Sequence, residues 1–338
     1  MEIPPWQKEV SDDYRSIGFG YSLTLPSGPP GLDDQAWMTR GVPIGSPKGV
    51  PMQAPELRPA SLTFAVLVSR LRAAGCVFAE DEALLLLSEA SSPAVLADWV
   101  DRRVSGMPLE YILGWAEFCG LRIAVDPGVF VPRRRTELLV SEAVTLLRKG
   151  LTTPAGPPPG VVVDLCCGSG AVGVAIASRV PGVELHAADI DPDAVICGLR
   201  NVPRVGGHVY QGDLYSALPV RLRGRVRLLA VNAPYVPSEA LRTMPPEARN
   251  YEPRVSLDGG PDGLDLHRRV VEEAVEWLAP GGHLVIETSE LQAAGTAALM
   301  ADAGFDAQTV RSEELDGTIV VGTWTSAPLS SAPLSSAP

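Results

Sequence analysis

From Val161 to Thr323 the chain alternates short apolar runs with amphipathic stretches, and no other feature limits its fold as much. Val161–Leu165 is an apolar run of strand length, followed by a glycine turn and a helical pattern from Ala171. Val183–Ala188 reads as a second strand and Asp191–Asn201 as a helix. His208–Gln211 and Arg225–Val231 are further strands, Asp265–Leu278 a helix, His283–Glu287 a strand and Leu291–Ala303 a helix. Phe305–Val310 and Thr318–Thr323 can close the sheet. Strand–helix alternation places crossover helices on both faces, so we expect an α/β fold with a doubly wound, mostly parallel, Rossmann-like sheet.

The earlier part of the chain differs. Residues 1–57 are rich in Pro, Gly and Ser without apolar periodicity, and read as a disordered extension. From Ser61 the pattern turns helical, with Leu62, Ala65, Val66 and Ser69 at helix spacing and Glu82-Ala-Leu-Leu-Leu-Leu continuing an apolar face. Ser91-Ser92-Pro93 signals a helix start with Pro at the first helical position, and Ala94–Val104 continues it. This predicts a small helical domain over 58–108. Residues 109–135 read as a hairpin linker, with strands Leu121–Val125 and Val129–Val131 around an Asp126-Pro127-Gly128 turn. Thr136–Lys149 is a helix, Thr153–Gly160 a loop, and the main domain runs from 136 to 325. The Ser-Ala-Pro-Leu-Ser repeat in 326–338 predicts a disordered tail.

A net charge of −12 repels phosphate backbones, so stable nucleic-acid binding is not expected. Five cysteines, Cys76, Cys119, Cys166, Cys167 and Cys197, show no zinc-type spacing and read as reduced thiols, with no metal expected. The N-terminus has neither a basic nor an apolar targeting segment, and no apolar run reaches membrane-spanning length. A cytoplasmic protein without membrane partners is the expectation.

Asp164-Leu-Cys-Cys-Gly168-Ser-Gly170 follows the first strand of the alternating region and opens a helix. Gly168, Gly170 and Gly173 match a dinucleotide-type glycine spacing, a weak signal by itself. Asp164 argues against a pyrophosphate, because a carboxylate before the turn would repel it. The same carboxylate would attract the ammonium and sulfonium of S-adenosylmethionine (SAM). Asp189 ends the second strand, where an acid can take both ribose hydroxyls. Asp213 and Leu214 follow the third strand, where an Asp can accept from the adenine amine and a Leu can pack on the ring. One such acid can merely cap the next helix; three at successive strand ends, with the glycine turn, point to SAM as cofactor. Cys166, Cys167 and Ser169 then line the turn.

The fourth strand ends in Asn232-Ala233-Pro234-Tyr235, at the carboxyl edge where open α/β sheets bind ligands. A planar NH2 group offers two donors. The Asn232 side-chain oxygen can accept one and the Ala233 main-chain carbonyl the other. Pro234 stiffens the loop, and the Tyr235 ring can stack on an amide or a base. We read Asn232 and Tyr235 as catalytic through positioning, with no general base standing out. His208, His267 and His283 lie on strands or helices and read as structural. Glu287, at a strand end, suits either the site or packing.

Beyond these residues, the chain resembles the HemK/PrmC-type protein-glutamine methyltransferases from about Leu62 to Thr323. The resemblance is carried by Pro108-Leu-Glu-Tyr-Ile-Leu-Gly114, Phe118-Cys-Gly-Leu121, Phe130-Val-Pro-Arg133, Thr136-Glu137, Glu252-Pro253, Leu257-Asp-Gly-Gly260, Asp262-Gly-Leu264, Pro280-Gly-Gly282 and Glu287. It implies a class I SAM-dependent methyltransferase fold and methylation of the glutamine side-chain amide in the Gly-Gly-Gln motif of peptide-chain release factors. It implies SAM contacts from the Cys166–Gly170 turn, Asp189, Leu214 and Asn232, an amide-binding loop at Asn232, Ala233, Pro234 and Tyr235, and recognition of the protein substrate by the helical domain. The chain departs from the family pattern at three places. Its loop is Asn-Ala-Pro-Tyr instead of Asn-Pro-Pro-Tyr, Arg134-Arg135 replace a Pro and an acid, and Cys166 replaces the first glycine of the turn. The departures suggest a divergent paralogue. They leave other acceptors open: the amide of a small metabolite or biosynthetic peptide, or the adenine amine of a nucleic acid. A non-catalytic module that binds SAM or a release factor is the reading from a different class.

Overall fold

The computed structural model describes residues 62–149 and 160–325. The expected extension over 1–57, the first residues of the helical domain, nearly all of the Thr153–Gly160 loop and the tail over 326–338 lie outside the described residues. The chain divides into two compact units, with the break after Val104.

The first unit is helical: α1 (Phe64–Ala73), α2 (Ala79–Glu89) and α3 (Pro93–Val104). Thr63 caps α1, its hydroxyl accepting from Val66 N at 3.4 Å. Ser92 does the same for α3, from Val95 N at 3.3 Å. The buried face of α1 is Phe64, Leu67, Val68 and Leu71, whereas Ala65, Val66 and Ser69 are exposed. This corrects the stripe expected from spacing. Both stripes have helical period, and the one with the larger side chains removes more apolar area from water, about 25 cal/mol per Å². Arg103 joins α3 to α2 through a two-pronged contact with Glu82, at 2.6 and 3.0 Å.

The second unit opens with the short helix α4 (Leu109–Leu113) and a hairpin of β1 (Trp115–Phe118) and β2 (Leu121–Ala124). The hairpin is not the one expected. Its turn is Cys119-Gly120, with φ of +57° and +77°, the two left-handed residues a tight two-residue hairpin turn needs. Asp126-Pro127-Gly128 does turn, with Val129 N donating to Asp126 O at 3.1 Å, but Val129–Val131 forms no strand. Its backbone is engaged elsewhere: Val129 O accepts from Tyr111 Oη at 2.8 Å and Val131 N donates to Glu252 Oε1 at 3.3 Å.

The main sheet contains β3 (Val161–Leu165), β4 (Glu184–Asp189), β5 (His208–Gln211), β6 (Val226–Val231), β7 (Leu278–Thr288), β8 (Phe305–Ser312) and β9 (Gly317–Trp324). Its order is β5-β4-β3-β6-β7-β9-β8, parallel from β5 to β7 and antiparallel at β9 and β8. The expected doubly wound fold is present. Residues on β3 alternate between the two faces. Val162 packs with α5 (Glu137–Lys149) and α6 (Ala171–Arg179), while Val161, Val163 and Leu165 pack with α9 (Asp265–Trp277). The strand order reverses between β3 and β6, which opens a crevice at their carboxyl ends. α7 (Pro192–Asn201) follows β4, α8 (Pro246–Tyr251) lies after the Asn232 loop, and α10 (Ala293–Asp302) follows β7.

Asn201, at the end of α7, is buried and ties two loops to the sheet's crevice. Its Oδ1 accepts from Ala124 N and its Nδ2 donates to the carbonyls of Ala124 and Ser169, all at 2.9 Å. Asn201→Ala strands two buried backbone groups, Ala124 N and Ser169 O, while Ala124 O still accepts from Cys197 Sγ at 3.2 Å. It should lower the free energy of unfolding by about 3 kcal/mol in denaturant titrations.

Candidate active site

A cavity of about 310 Å³ occupies the crevice at the carboxyl ends of β3, β4 and β6. Its wall includes Asp164, Cys166, Cys167, Gly168, Ser169, Asp189, Asp213 and Leu214 on one side, and Asn232, Ala233, Pro234 and Tyr235 on the other. The structure thus brings together two sets of residues predicted separately. Gly170 belongs to the turn but not to the wall. With φ +76° it caps α6, and a Cβ there would collide with Val202.

The turn is held by the acids around it. Gly168 N donates to Asp189 Oδ2 at 2.8 Å, Asp191 N donates to Asp189 Oδ1 at 3.0 Å, and Gly173 N donates to Asp164 Oδ2 at 2.8 Å. A side chain at Gly173 would meet Leu185 at 2.8 Å and the Asp164 carboxyl at 3.0 Å, so helix and acid approach closely only with glycine there. Cys166 has φ +56°, a conformation that costs a side-chain-bearing residue about 1 kcal/mol. Burial pushes the Cys166 and Cys167 thiols up, so neither is a ready nucleophile.

The turn side of the cavity is lined by acids. Asp164 is 1% exposed, and burial pushes its carboxyl up to about 8. Burial also raises Asp189. A pyrophosphate would add negative charge to this end. A cationic ligand with hydroxyls, such as SAM, offsets the cost of the buried acids, so the residues present fit SAM. Asp213 stands on the wall with Oδ2 engaged by Arg269 Nη2 at 2.7 Å. Arg269 has no sequence signal, because nothing local marks a helix residue that meets an acid 56 positions away.

On the other side, Asn232 Nδ2 donates to Thr136 Oγ1 at 3.4 Å, which leaves the amide oxygen to accept from elsewhere. Tyr235 Oη donates to Glu287 Oε1 at 3.1 Å, and burial raises both groups. Glu287 is therefore part of the loop's support rather than distant packing. The loop is clamped from behind. Val236 N donates to Leu257 O at 3.0 Å, Gly259 N to Val236 O at 2.9 Å, and Gln292 Nε2 to Tyr235 O at 2.8 Å. A Cβ at Gly259 would lie 2.7 Å from Tyr235 Cα. Ala233 is buried beneath this clamp, so tertiary hydrogen bonds supply restraint that a second proline would otherwise give. Thr136 is legible in the sequence only as part of a family stretch, and Gln292 is not legible at all.

His186, His208, His267 and His283 stand away from the cavity wall; His267 Nδ1 pairs with Thr296 Oγ1 at 2.9 Å and His283 Nδ1 with Thr323 Oγ1 at 3.1 Å. Among the described residues the five cysteines are free, and no His, Cys, Asp and Glu group is arranged to hold a metal. No helix among them is long and apolar enough to cross a membrane.

Asp164 makes a pH prediction. Its carboxyl binds a proton up to about pH 8 in the fold, but only to about pH 4 when unfolded. Between those values the folded state holds more protons, so this group's contribution to stability falls as pH rises. The fall in thermal midpoint from pH 5 to pH 8 should be shallower in Asp164→Asn. A cation bound beside the carboxyl favours its ionised form. SAM binding at pH 7 should therefore release protons, read by calorimetry in two buffers of different ionisation enthalpy, and Asp164→Asn should reduce that release.

The methyltransferase small domain family matches residues 120–242. The release factor glutamine methyltransferase of Geobacter sulfurreducens is 39% identical over 208 residues, covering 61% of this chain and 69% of that one. That of Bifidobacterium longum is 35% identical over 272 residues, covering 71% and 90%. The 4-amino-L-phenylalanine/4-methylamino-L-phenylalanine methyltransferase of Streptomyces pristinaespiralis is 37% identical over 210 residues, covering 61% and 69%. On these identities and coverages, the chain belongs to the release factor glutamine methyltransferase family.

Proposed function

We propose that the protein transfers a methyl group from SAM to the side-chain amide nitrogen of a protein glutamine, in the Gly-Gly-Gln motif of a peptide-chain release factor. The observation that carries this reading is the placement of Asn232. It stands at the switch point of the sheet, across one cavity from the buried acids of the turn, with its Nδ2 engaged by Thr136.

SAM, when bound, supplies the electrophilic methyl group. Asp164, Asp189, Asp213 and Leu214, with the Cys166–Gly170 turn, hold its amino-acid and adenosine ends. The Asn232 side-chain oxygen and the Ala233 carbonyl accept the two N–H donors of the acceptor amide. An amide nitrogen is a poor nucleophile because its lone pair is delocalised. Acceptors aimed at its hydrogens orient that lone pair and stabilise positive charge as it develops. Pro234 and the Tyr235 ring, pinned through its hydroxyl, shape the remaining wall. The helical unit presents the protein substrate.

The Streptomyces pristinaespiralis relative is named for an aromatic amine, and such an NH2 group is planar enough for the same acceptors. Incubation with SAM and release factors, followed by mass spectrometry, separates the two acceptors. A methyl on the Gly-Gly-Gln glutamine supports the first reading, and methylation of an arylamine alone replaces it with the second. Asn232→Ala should reduce methyl transfer by about a thousandfold while SAM binding stays measurable, consistent with loss of an oriented acceptor at the reacting nitrogen. Unchanged turnover in that variant would sink the assignment.

A further inference from the structure

Three arginines line the cavity: Arg133, Arg135 and Arg269. Two of them have their charge taken up. Arg269 pairs with Asp213 at 2.7 Å, and Arg133 pairs with the buried Glu252 while stacking over the Phe130 ring at 5.0 Å. Arg135 differs. Its Nε lies 3.6 Å from Glu287 Oε1, beyond hydrogen-bond distance, and that oxygen already accepts from Tyr235 Oη at 3.1 Å. The Arg135 side chain is 45% exposed, and no hydrogen bond from its Nη groups occurs among the described residues. Its position is set by the same carboxylate that pins Tyr235, so the guanidinium stands beside the Asn232–Tyr235 loop. An acidic chain of net charge −12 thus places, on the Tyr235 side of a cavity, an arginine whose one ion pair, with Glu287 at 3.6 Å, is too long for a hydrogen bond and leaves its fork of donors open.

We infer that Arg135 is a specificity-determining residue, and that the preferred acceptor carries a carboxylate close to the NH2 group that is methylated. The inference rests on the reading of the Asn232 loop as the acceptor site. A guanidinium binds a carboxylate through two parallel N–H···O bonds, and its partial removal from water strengthens the pair. Arg135 belongs to the Arg134-Arg135 pair that replaces a Pro and an acid of the family pattern, so the chain has reversed a charge at this wall. The carboxylate has two possible sources: an acidic residue flanking the glutamine of a peptide, or the carboxylate of a free amino acid bearing an arylamine.

Two matched acceptor pairs distinguish them. One pair is a Gly-Gly-Gln peptide flanked by Glu and the same peptide flanked by Gln; the other is 4-aminophenylalanine and its carboxamide. Each is measured with wild type, Arg135→Gln and Arg135→Lys, all checked for an unchanged thermal transition. Calorimetry without SAM gives the dissociation constant, and steady-state methylation gives KM and kcat. We expect wild type to favour the carboxylate-bearing member of one pair by about tenfold in dissociation constant and KM, the usual worth of a charge-assisted contact. Arg135→Gln should bring that ratio near one, and Arg135→Lys should leave it intermediate. The pair that responds identifies the source. Equal binding of both members in both pairs overturns the inference, as does a preference that survives in Arg135→Gln. So does a loss of SAM affinity in Arg135→Gln with the acceptor preference intact, because the guanidinium would then serve the cofactor's own carboxylate. If carboxylate-bearing acceptors bind through Arg135 but none is methylated, the methyl-transfer reading fails while this inference stands.

Discussion

Buried carboxylates at the carboxyl edge of the sheet organise everything around them. A carboxyl group taken out of water must find hydrogen-bond partners for its oxygens, so each one dictates which groups must point at it. Asp164 and Asp189 draw in the N–H groups of Gly173, Gly168 and Asp191, and this closes the turn after β3. Glu252 takes Val131 N and the Arg133 guanidinium, which steers the segment after the hairpin over the cavity. Glu287 takes the Tyr235 hydroxyl and sets the ring of the Asn232–Tyr235 loop. Burying acids is unfavourable unless they are paired or hydrogen-bonded, and Glu252 and Glu287 each keep one oxygen without a hydrogen-bond partner among the described residues. A cationic cofactor and an acceptor rich in N–H groups suit such an edge chemically.

The family departures take on different weights in their three-dimensional surroundings. Cys166 has a left-handed backbone, and the turn tolerates this strained residue because Asp189 and the Cys167 N–H to Ala188 O bond hold its neighbours. Ala233 is buried under a loop fastened by Gln292 and by the Leu257–Gly259 segment, so the site depends little on the lost proline. Arg135 is the departure that changes the chemistry on the wall, because it brings a half-exposed guanidinium to the side of the cavity formed by the Asn232–Tyr235 loop.

Much of the fold is legible in the sequence because its signals are local. The apolar run Val161–Leu165, the cap at Asp191 with Pro192 behind it, and the acids ending successive strands all lie within a few residues of the structure they specify. The hairpin is placed wrongly from sequence because Asp126-Pro127-Gly128 is a stronger turn signal than Cys119-Gly120, yet the residues after that stronger turn are claimed by Tyr111 and Glu252. The buried stripe of α1 is placed wrongly because two stripes share one period and only packing chooses between them.

The sequence by itself determined the alternating α/β architecture, the cofactor turn with its ordered acids, and the Asn232–Tyr235 loop, since each is encoded in contiguous residues with a period or spacing of its own. Only the tertiary structure decided which side chains complete the site. Thr136 meets Asn232 across 96 positions, Glu287 meets Tyr235 across 52, Gln292 meets Tyr235 across 57 and Arg269 meets Asp213 across 56. Such pairings depend on the order in which strands are laid into the sheet, and a contact made by sheet order leaves no pattern in the local sequence.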